Sequence, residues 1–169
     1  MEIVLASEKD LNNLRLLIDN TRAYMDENGA PIWNDFYPFE EFESDIKNDE
    51  LFVIKQNDKI ISVFCLSEKF DCPALFYWKE KKAKALYISK LAVASNLLKN
   101  GIGTQAVRFA ETYAKEHGYK YLRLTAAEVN TPAIKLYTKN GFKQVEGTSK
   151  NEYITKCNNT ELAFEKEIF

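Results

Sequence analysis

A mixed α/β fold is predicted from three stretches of the chain. Residues 86–93, LYISKLAV, are aliphatic and β-branched enough for a strand buried in a sheet. A loop and a helical segment follow, and residues 119–127 supply a second strand, which makes a β-α-β unit with a parallel pair. Residues 51–55 and 60–67 are apolar runs on either side of Asn57-Asp58, the pattern of an antiparallel hairpin. Further strand-like runs at both ends extend the sheet. The expected architecture is one domain over residues 1–169, a central mixed and mostly antiparallel sheet of about seven strands flanked by about four helices.

Each element has a local reason. Residues 1–6 read as a strand, and Ser7 then caps a helix with Asp10 three residues on. Leu11, Leu14, Leu17, Ile18 and Met25 give that helix an apolar face, and Asn28-Gly29 stops it. The loop 30–38 carries Trp33, Phe36 and Tyr37 between two prolines; such aromatics line a pocket or anchor a loop, and the sequence leaves both open. Residues 39–50 read as an acidic helix with Phe42 and Ile46 inward and Glu40, Glu41, Glu43, Asp45, Asp49 and Glu50 outward, a solvated face. The hairpin is expected beside the opening strand. Residues 69–82, with Cys72-Pro73, Phe76-Tyr77-Trp78 and a basic cluster, read as an irregular connection with an exposed tip. After residues 86–93, a helix opens at Gly101 with Ile102, Ala106, Phe109, Ala110 and Tyr113 on one face, and His117-Gly118 closes it. Thr131 is expected to cap the next helix, with Pro132 at its first position, and Asn140-Gly141 to end it. Residues 142–146 and 160–169 read as closing strands joined by the polar stretch 147–159. There are no repeats.

Composition narrows the function classes. A net charge of −2 and no Lys/Arg face interleaved with aromatics argue against nucleic acid as partner. The first residues run straight into Ser7-Glu8-Lys9-Asp10 and no apolar run spans a bilayer, so the expectation is a cytoplasmic protein with no membrane partner. Cys65, Cys72 and Cys157 are odd in number and lack metal-ligand spacing, which fits buried thiols; no metal is expected. His117 is the one histidine and sits where a cation complements a helix C-terminus, so a Ser-His-Asp or Cys-His hydrolase is a poor reading.

The organising motif is the strand 86–93 followed by Leu98-Lys99-Asn100-Gly101-Ile102-Gly103-Thr104. Glycines at a helix entrance let successive N–H groups converge on an anion, where the helix dipole adds partial positive charge. A nucleotide P-loop is excluded because no Lys-Ser/Thr follows the glycines. A dinucleotide fingerprint matches at Gly101, Gly103 and Ala106, but it needs its first glycine directly after the strand, and seven residues intervene here. A glycine turn that binds nothing stays open on this motif alone.

A second motif follows in Asn130-Thr131-Pro132-Ala133-Ile134-Lys135-Leu136-Tyr137-Thr138-Lys139-Asn140-Gly141-Phe142. Asn130 and Tyr137 are two helical turns apart and share a face. With both motifs in this order, the chain resembles the GCN5-related N-acetyltransferases (the GNAT family) over its whole length, in N-x-x-A-x-x-L-Y-x-x-x-G-F and in the element order. The resemblance implies acetyl-CoA as co-substrate and a parallel strand pair splayed at its site. It implies that backbone groups of Leu91, Ala92 and Val93 pair with the pantetheine arm and that the Leu91 N–H donates to the acetyl carbonyl. It places the pyrophosphate on Leu98, Lys99, Asn100, Gly101, Ile102, Gly103 and Thr104, and CoA contacts at Asn130 and Ala133. It makes Tyr137 the acid that protonates the leaving thiolate. Leu98 departs from the family's Gln/Arg, and Lys99 from a frequent Gly, so weaker or reshaped CoA binding is expected.

The implied reaction is direct attack of a neutral amine, from a small molecule or peptide, on the thioester in a ternary complex. A base must first take the amine proton. By position Tyr87 and Ser89 carry it, alternating onto one face with Leu91, and Glu128 or Asp35 are the carboxylates behind them. Trp33, Phe36 and Tyr37 are the candidate acceptor contacts. Two alternatives stay open, a CoA-binding relative with a sensory or structural role and a module that uses the Trp33 loop for a protein partner; whether the chain forms a homodimer is open as well.

Overall fold

A computed structural model describes residues 1–70, 76–150 and 160–169 of the chain. The readings of Cys72-Pro73, Cys157 and the polar segment 151–159 lie outside those residues. Strands β1 (Glu2–Leu5), β2 (Leu51–Gln56), β3 (Lys59–Ser67), β4 (Ala85–Val93), β5 (Tyr121–Ala127), β6 (Lys143–Lys150) and β7 (Thr160–Glu167) form one sheet in the order β1-β2-β3-β4-β5-β7-β6. Every neighbouring pair is antiparallel except β4 and β5. The hairpin turn places Asn57 at φ 49° and Asp58 at φ 60°, the twist that joins two strands over two residues.

Helices α1 (Leu11–Glu27) and α2 (Phe42–Lys47) cover one face, and α3 (Ile102–Glu116) and α4 (Thr131–Lys139) the other. Leu14, Leu17, Ile18 and Phe42 meet Leu51, Val53, Val63 and Ala92 on the first face. Ile102, Ala106, Val107 and Ala110 meet Leu86, Ile88, Leu122 and Leu124 on the second. Removing this much apolar surface from water is the main force that holds the layers together.

The start of α1 is locked as expected. The Ser7 N–H donates to Asp10 Oδ2 at 2.9 Å, and Lys55 on β2 donates to Asp10 Oδ1 at 2.9 Å. Burial by itself would raise the Asp10 pKa, but the bonds from Lys55 and Ser7 outweigh it and hold the carboxyl below its usual value. A depressed carboxyl contributes stability above its unfolded pKa and loses it as pH falls through the folded one. Asp10→Asn should therefore cost about 1 kcal/mol at neutral pH and flatten the loss of stability below pH ~4, read by urea melts across pH.

Three local expectations are corrected. The acidic segment is a 3₁₀ turn at Phe39–Glu41 followed by the short α2, and Asp45 on it is buried, with its charge met by Lys90 of β4. The cap of α4 is Asn130, whose side-chain oxygen accepts from the Ala133 N–H at 3.2 Å; Thr131 is the first helical residue. The residues 76–78 of the connection are not all an exposed tip: Phe76 is buried, and Trp78 packs beside Tyr87 and under Arg123.

Candidate active site

The parallel pairing of β4 and β5 stops early. Its register is Ala85↔Tyr121, Leu86↔Leu122 and Tyr87↔Arg123, and nothing beyond Tyr87 is paired with β5. On its other edge β4 is broken by a bulge: Ser89 faces Cys65 and Ala92 faces Val63, so Lys90 and Leu91 together oppose Phe64. Lys90 takes φ 56°, a left-handed conformation that strains a side-chain-bearing residue.

The bulge overturns the simple alternation expected for β4. Tyr87 and Ser89 project to the α1/α2 face, but Leu91 and Val93 pack with Leu86 and Ile88 on the α3/α4 face. An extra residue in one strand reverses the facing of everything after it. The Ala92 carbonyl accepts from the Ser62 hydroxyl at 2.7 Å and the Ala94 N–H bonds to Ile61 at 2.9 Å, both on the β3 side. By strand alternation Leu91 and Val93 turn their backbone groups to the open β5 side, while Ala92 turns its own away.

A cavity of about 540 Å³ occupies the gap. Ile88, Leu91, Ala126, Asn130, Ala133 and Tyr137 line it toward α4, and Trp33, Tyr37, Asp45, Tyr87, Ser89 and Glu161 line it toward α2. The opening between the splayed strands thus joins the two faces of the sheet. Trp33 is also part of the buried core, so it is both anchor and wall. Phe36 is 62% exposed and outside the lining, as are Glu128 and Asp35, the latter paired with Arg22.

The charges around the cavity differ in how far they are satisfied. Lys90 bonds Asp45 at 2.5 Å and Glu41 at 2.6 Å. Glu50 accepts from the Ser67 hydroxyl at 2.7 Å. Asp45, Glu50 and Cys65 bring ligand-type atoms within 4.8 Å of one another, but the Lys90 ammonium already supplies the cation there. Burial pushes the Cys65 thiol up to about 12, so it stays protonated and unreactive. Burial alone holds the Tyr137 phenol well above its usual value. Glu161, 3% exposed, accepts from the Thr125 hydroxyl; burial raises its carboxyl and that bond offsets only part of the rise. Sequence reasoning missed Glu161, Thr125 and Lys90. A Glu among the apolar residues of the closing strand, ELAF, was the available signal, because it breaks an otherwise apolar inward run.

The glycine loop lies outside the cavity, at the entrance to α3. Lys99 (φ 66°) and Gly101 (φ 80°) are both left-handed, and no side chain caps the helix. Among the described residues, the Gly101, Ile102, Gly103 and Thr104 amides have no protein acceptor. Four convergent donors at the positive end of a helix fit a diphosphate. The two glycines serve different ends. Gly101 permits the turn, whereas a Cβ at Gly103 would meet Leu136 Cδ2 at 2.9 Å, so Gly103 lets α3 and α4 pack closely. Ile102 is buried in the core, and Leu98, Lys99 and Asn100 form the loop before it.

The model of the acetyltransferase (GNAT) family matches residues 17–142. No curated protein matches the chain. Among solved structures, a GNAT-family acetyltransferase from Streptococcus agalactiae is similar at 19% identity and a TM-score of 0.78, covering 98% of this chain and 94% of that one. A ribosomal-protein-alanine N-acetyltransferase from Brucella melitensis is similar at 21% identity and TM-score 0.72, covering 99% of each. The ribosomal-protein-S18-alanine N-acetyltransferase from Escherichia coli is similar at 17% identity and TM-score 0.72, covering 99% of this chain and 93% of that one.

Proposed function

The chain belongs to the acetyltransferase (GNAT) family, and from that premise we propose that it moves an acetyl group from acetyl-CoA to a primary amine by direct attack in a ternary complex. The observation that carries the reading is the cavity through the splayed β4–β5 gap, open to both faces of the sheet. Acetyl-CoA, the second substrate, supplies the activated acetyl thioester. The amides of Gly101 to Thr104 and the Lys99 ammonium hold its diphosphate, and Leu91 and Val93 offer the backbone edge along which an extended arm pairs as an added strand.

The Leu91 N–H donates to the acetyl carbonyl oxygen as charge develops on it; a donor so placed is worth roughly 2.7–4 kcal/mol of barrier. Tyr137, protonated throughout the neutral range because burial raises it, hands its proton to the departing sulfur. Tyr87 and Ser89 border the acceptor side and order the water there. Cys65 is held too high to act as an acetyl relay, which supports one-step transfer over a covalent enzyme intermediate. Two of the similar structures are named for ribosomal-protein alanine, so peptide α-amines belong in the acceptor panel with small amines.

Thr104→Glu tests CoA recognition without harming the fold. A carboxylate in the first turn of α3 favours the helix by about 0.3–1 kcal/mol and reaches back to the Gly101 N–H, plugging the donors and repelling a diphosphate. Calorimetry should show acetyl-CoA affinity falling at least about tenfold while the melting temperature holds or rises. Equal affinity in the variant removes the loop from the reading. Wild-type protein that binds acetyl-CoA but acetylates nothing in a broad amine panel would instead be the non-catalytic relative.

A further inference from the structure

We infer that Glu161 is the group that holds the acceptor as an alkylammonium ion and takes its proton, so that the acceptor is an aliphatic amine and not an arylamine. The inference rests on the transfer reading and adds to it the base and the class of amine. It begins from the strand register. Glu161 of β7 is paired with Ala127 of β5, and Ala127 packs on the α1/α2 face, so the Glu161 side chain lies on the acceptor side of the sheet. Tyr137 belongs to the opposite face. Continuing the β4–β5 register past Tyr87↔Arg123, with one extra residue for the bulge, brings Leu91 level with Ala126, beside Ala127. Glu161 and Tyr137 therefore line one cavity from opposite faces of the sheet, so the base and the acid do not compete for one position. The β7 and β4 backbones are two strand spacings apart, roughly 10 Å plus the splay, within reach of a glutamate acting directly or through one water.

The other carboxylates are excluded by their partners or position. Asp45 and Glu41 are engaged by Lys90, Glu50 stands just before β2 with β3 and β4 between it and the gap, and Glu40 stands on the exposed rim. Glu165, four residues on and on the same face, is tied to Arg123 and to the Lys79 N–H. Among the described residues, Glu161 has the neutral Thr125 hydroxyl as its partner and no paired cation. A buried carboxylate without a counterion is costly, and an ammonium brought by the substrate relieves that cost. Burial raises its carboxyl above its usual value, which makes it a stronger base than an exposed glutamate. Tyr37, Tyr87, Tyr137, Cys65, Lys69 and the Lys90–Asp45 pair are further ionisable groups that line the same cavity.

The step balances as follows. The R–NH₃⁺ group gives one proton to the Glu161 carboxylate, and the free amine forms a C–N bond to the acetyl carbon. The C–S bond breaks, sulfur takes the Tyr137 proton, and the second nitrogen proton returns to Tyr137 through water. Glu161 then releases its proton to solvent.

Benzylamine and aniline test this, being close in size while only benzylamine is protonated near neutral pH. Glu161→Gln should cut kcat/KM for benzylamine roughly 10²–10⁴-fold, change any aniline turnover less than about threefold, and leave the melting temperature equal or higher, because a raised carboxyl opposes folding when ionised. Glu161→Asp, which keeps the charge, should recover part of the benzylamine rate. Unchanged benzylamine turnover in Glu161→Gln, or equal loss with both amines, overturns the inference. A second readout does not depend on turnover. Calorimetry of benzylamine with the CoA complex should show at least about tenfold weaker binding in Glu161→Gln, and equal binding overturns the role. If wild-type protein acetylates no amine, the transfer reading fails, and the calorimetric comparison still decides whether Glu161 reads the ammonium.

Discussion

Tyr137→Phe is expected to lower kcat roughly 10²–10⁴-fold with any accepted amine, the range a positioned general acid contributes. The phenol is 6% exposed and lines the cavity, its ring packs edge-on against Phe142 with centroids 5.8 Å apart, and among the described residues its hydroxyl makes no protein hydrogen bond. Phe keeps the ring and its packing, so stability should change by less than about 1 kcal/mol. Acetyl-CoA affinity, measured by calorimetry, should stay within about twofold, since the proton matters only as the C–S bond breaks. Because burial raises the phenol, wild-type kcat should show no Tyr137 limb below pH ~10. Unchanged turnover would give the proton to water; a fall in affinity with kcat intact would make Tyr137 a binding residue.

Lys90→Met should be the most destabilising single change on the acceptor side, costing about 3–5 kcal/mol at neutral pH, because it strands a buried carboxylate. The Lys90 and Asp45 side chains are 8% and 10% exposed. Burial pulls the Lys90 pKa down, but the bonds from Asp45 and Glu41 outweigh it and the net shift is upward. A raised lysine contributes stability that is full below its unfolded pKa, about 10.4, and lost as pH rises through the folded value. Wild-type protein should therefore lose stability in strong alkali, and Lys90→Met should lack that limb. At Asp45 burial exceeds the lowering by Lys90, so its carboxyl stands above its usual value. Removing Lys90 leaves it to fold neutral, and the penalty should shrink as pH falls toward 4. Urea melts of the variant at pH 4, 7 and 10 read both slopes, and Lys90→Met with Asp45→Asn should recover part of the loss.

What could be read from the chain was local chemistry. Ser7 with Asp10, Asn57-Asp58, and the glycines after α1, α3 and α4 mark ends and turns because a cap or a positive φ is decided within a few residues. Apolar periodicity identified the seven strands and four helices, and the order of two motifs identified the family. Leu91, Asn130, Ala133 and Tyr137, singled out by the two motifs, line one cavity.

What only the tertiary structure decided is what depends on neighbours distant in sequence. The bulge at Lys90 exists because β4 meets β3 out of step, and nothing in LYISKLAV announces that its alternation reverses there. Asp45 looked solvated because its own helix is acidic; it is buried because Lys90, on another element, supplies the charge that permits burial. Glu161 reaches the site only because β7 inserts between β5 and β6, placing a residue from the end of the chain beside the strand gap. Strand order and register are set by long-range pairing, whose free energy no short window contains, so the sequence alone determined the fold family, and tertiary pairing decided which residues of distant strands share the cavity.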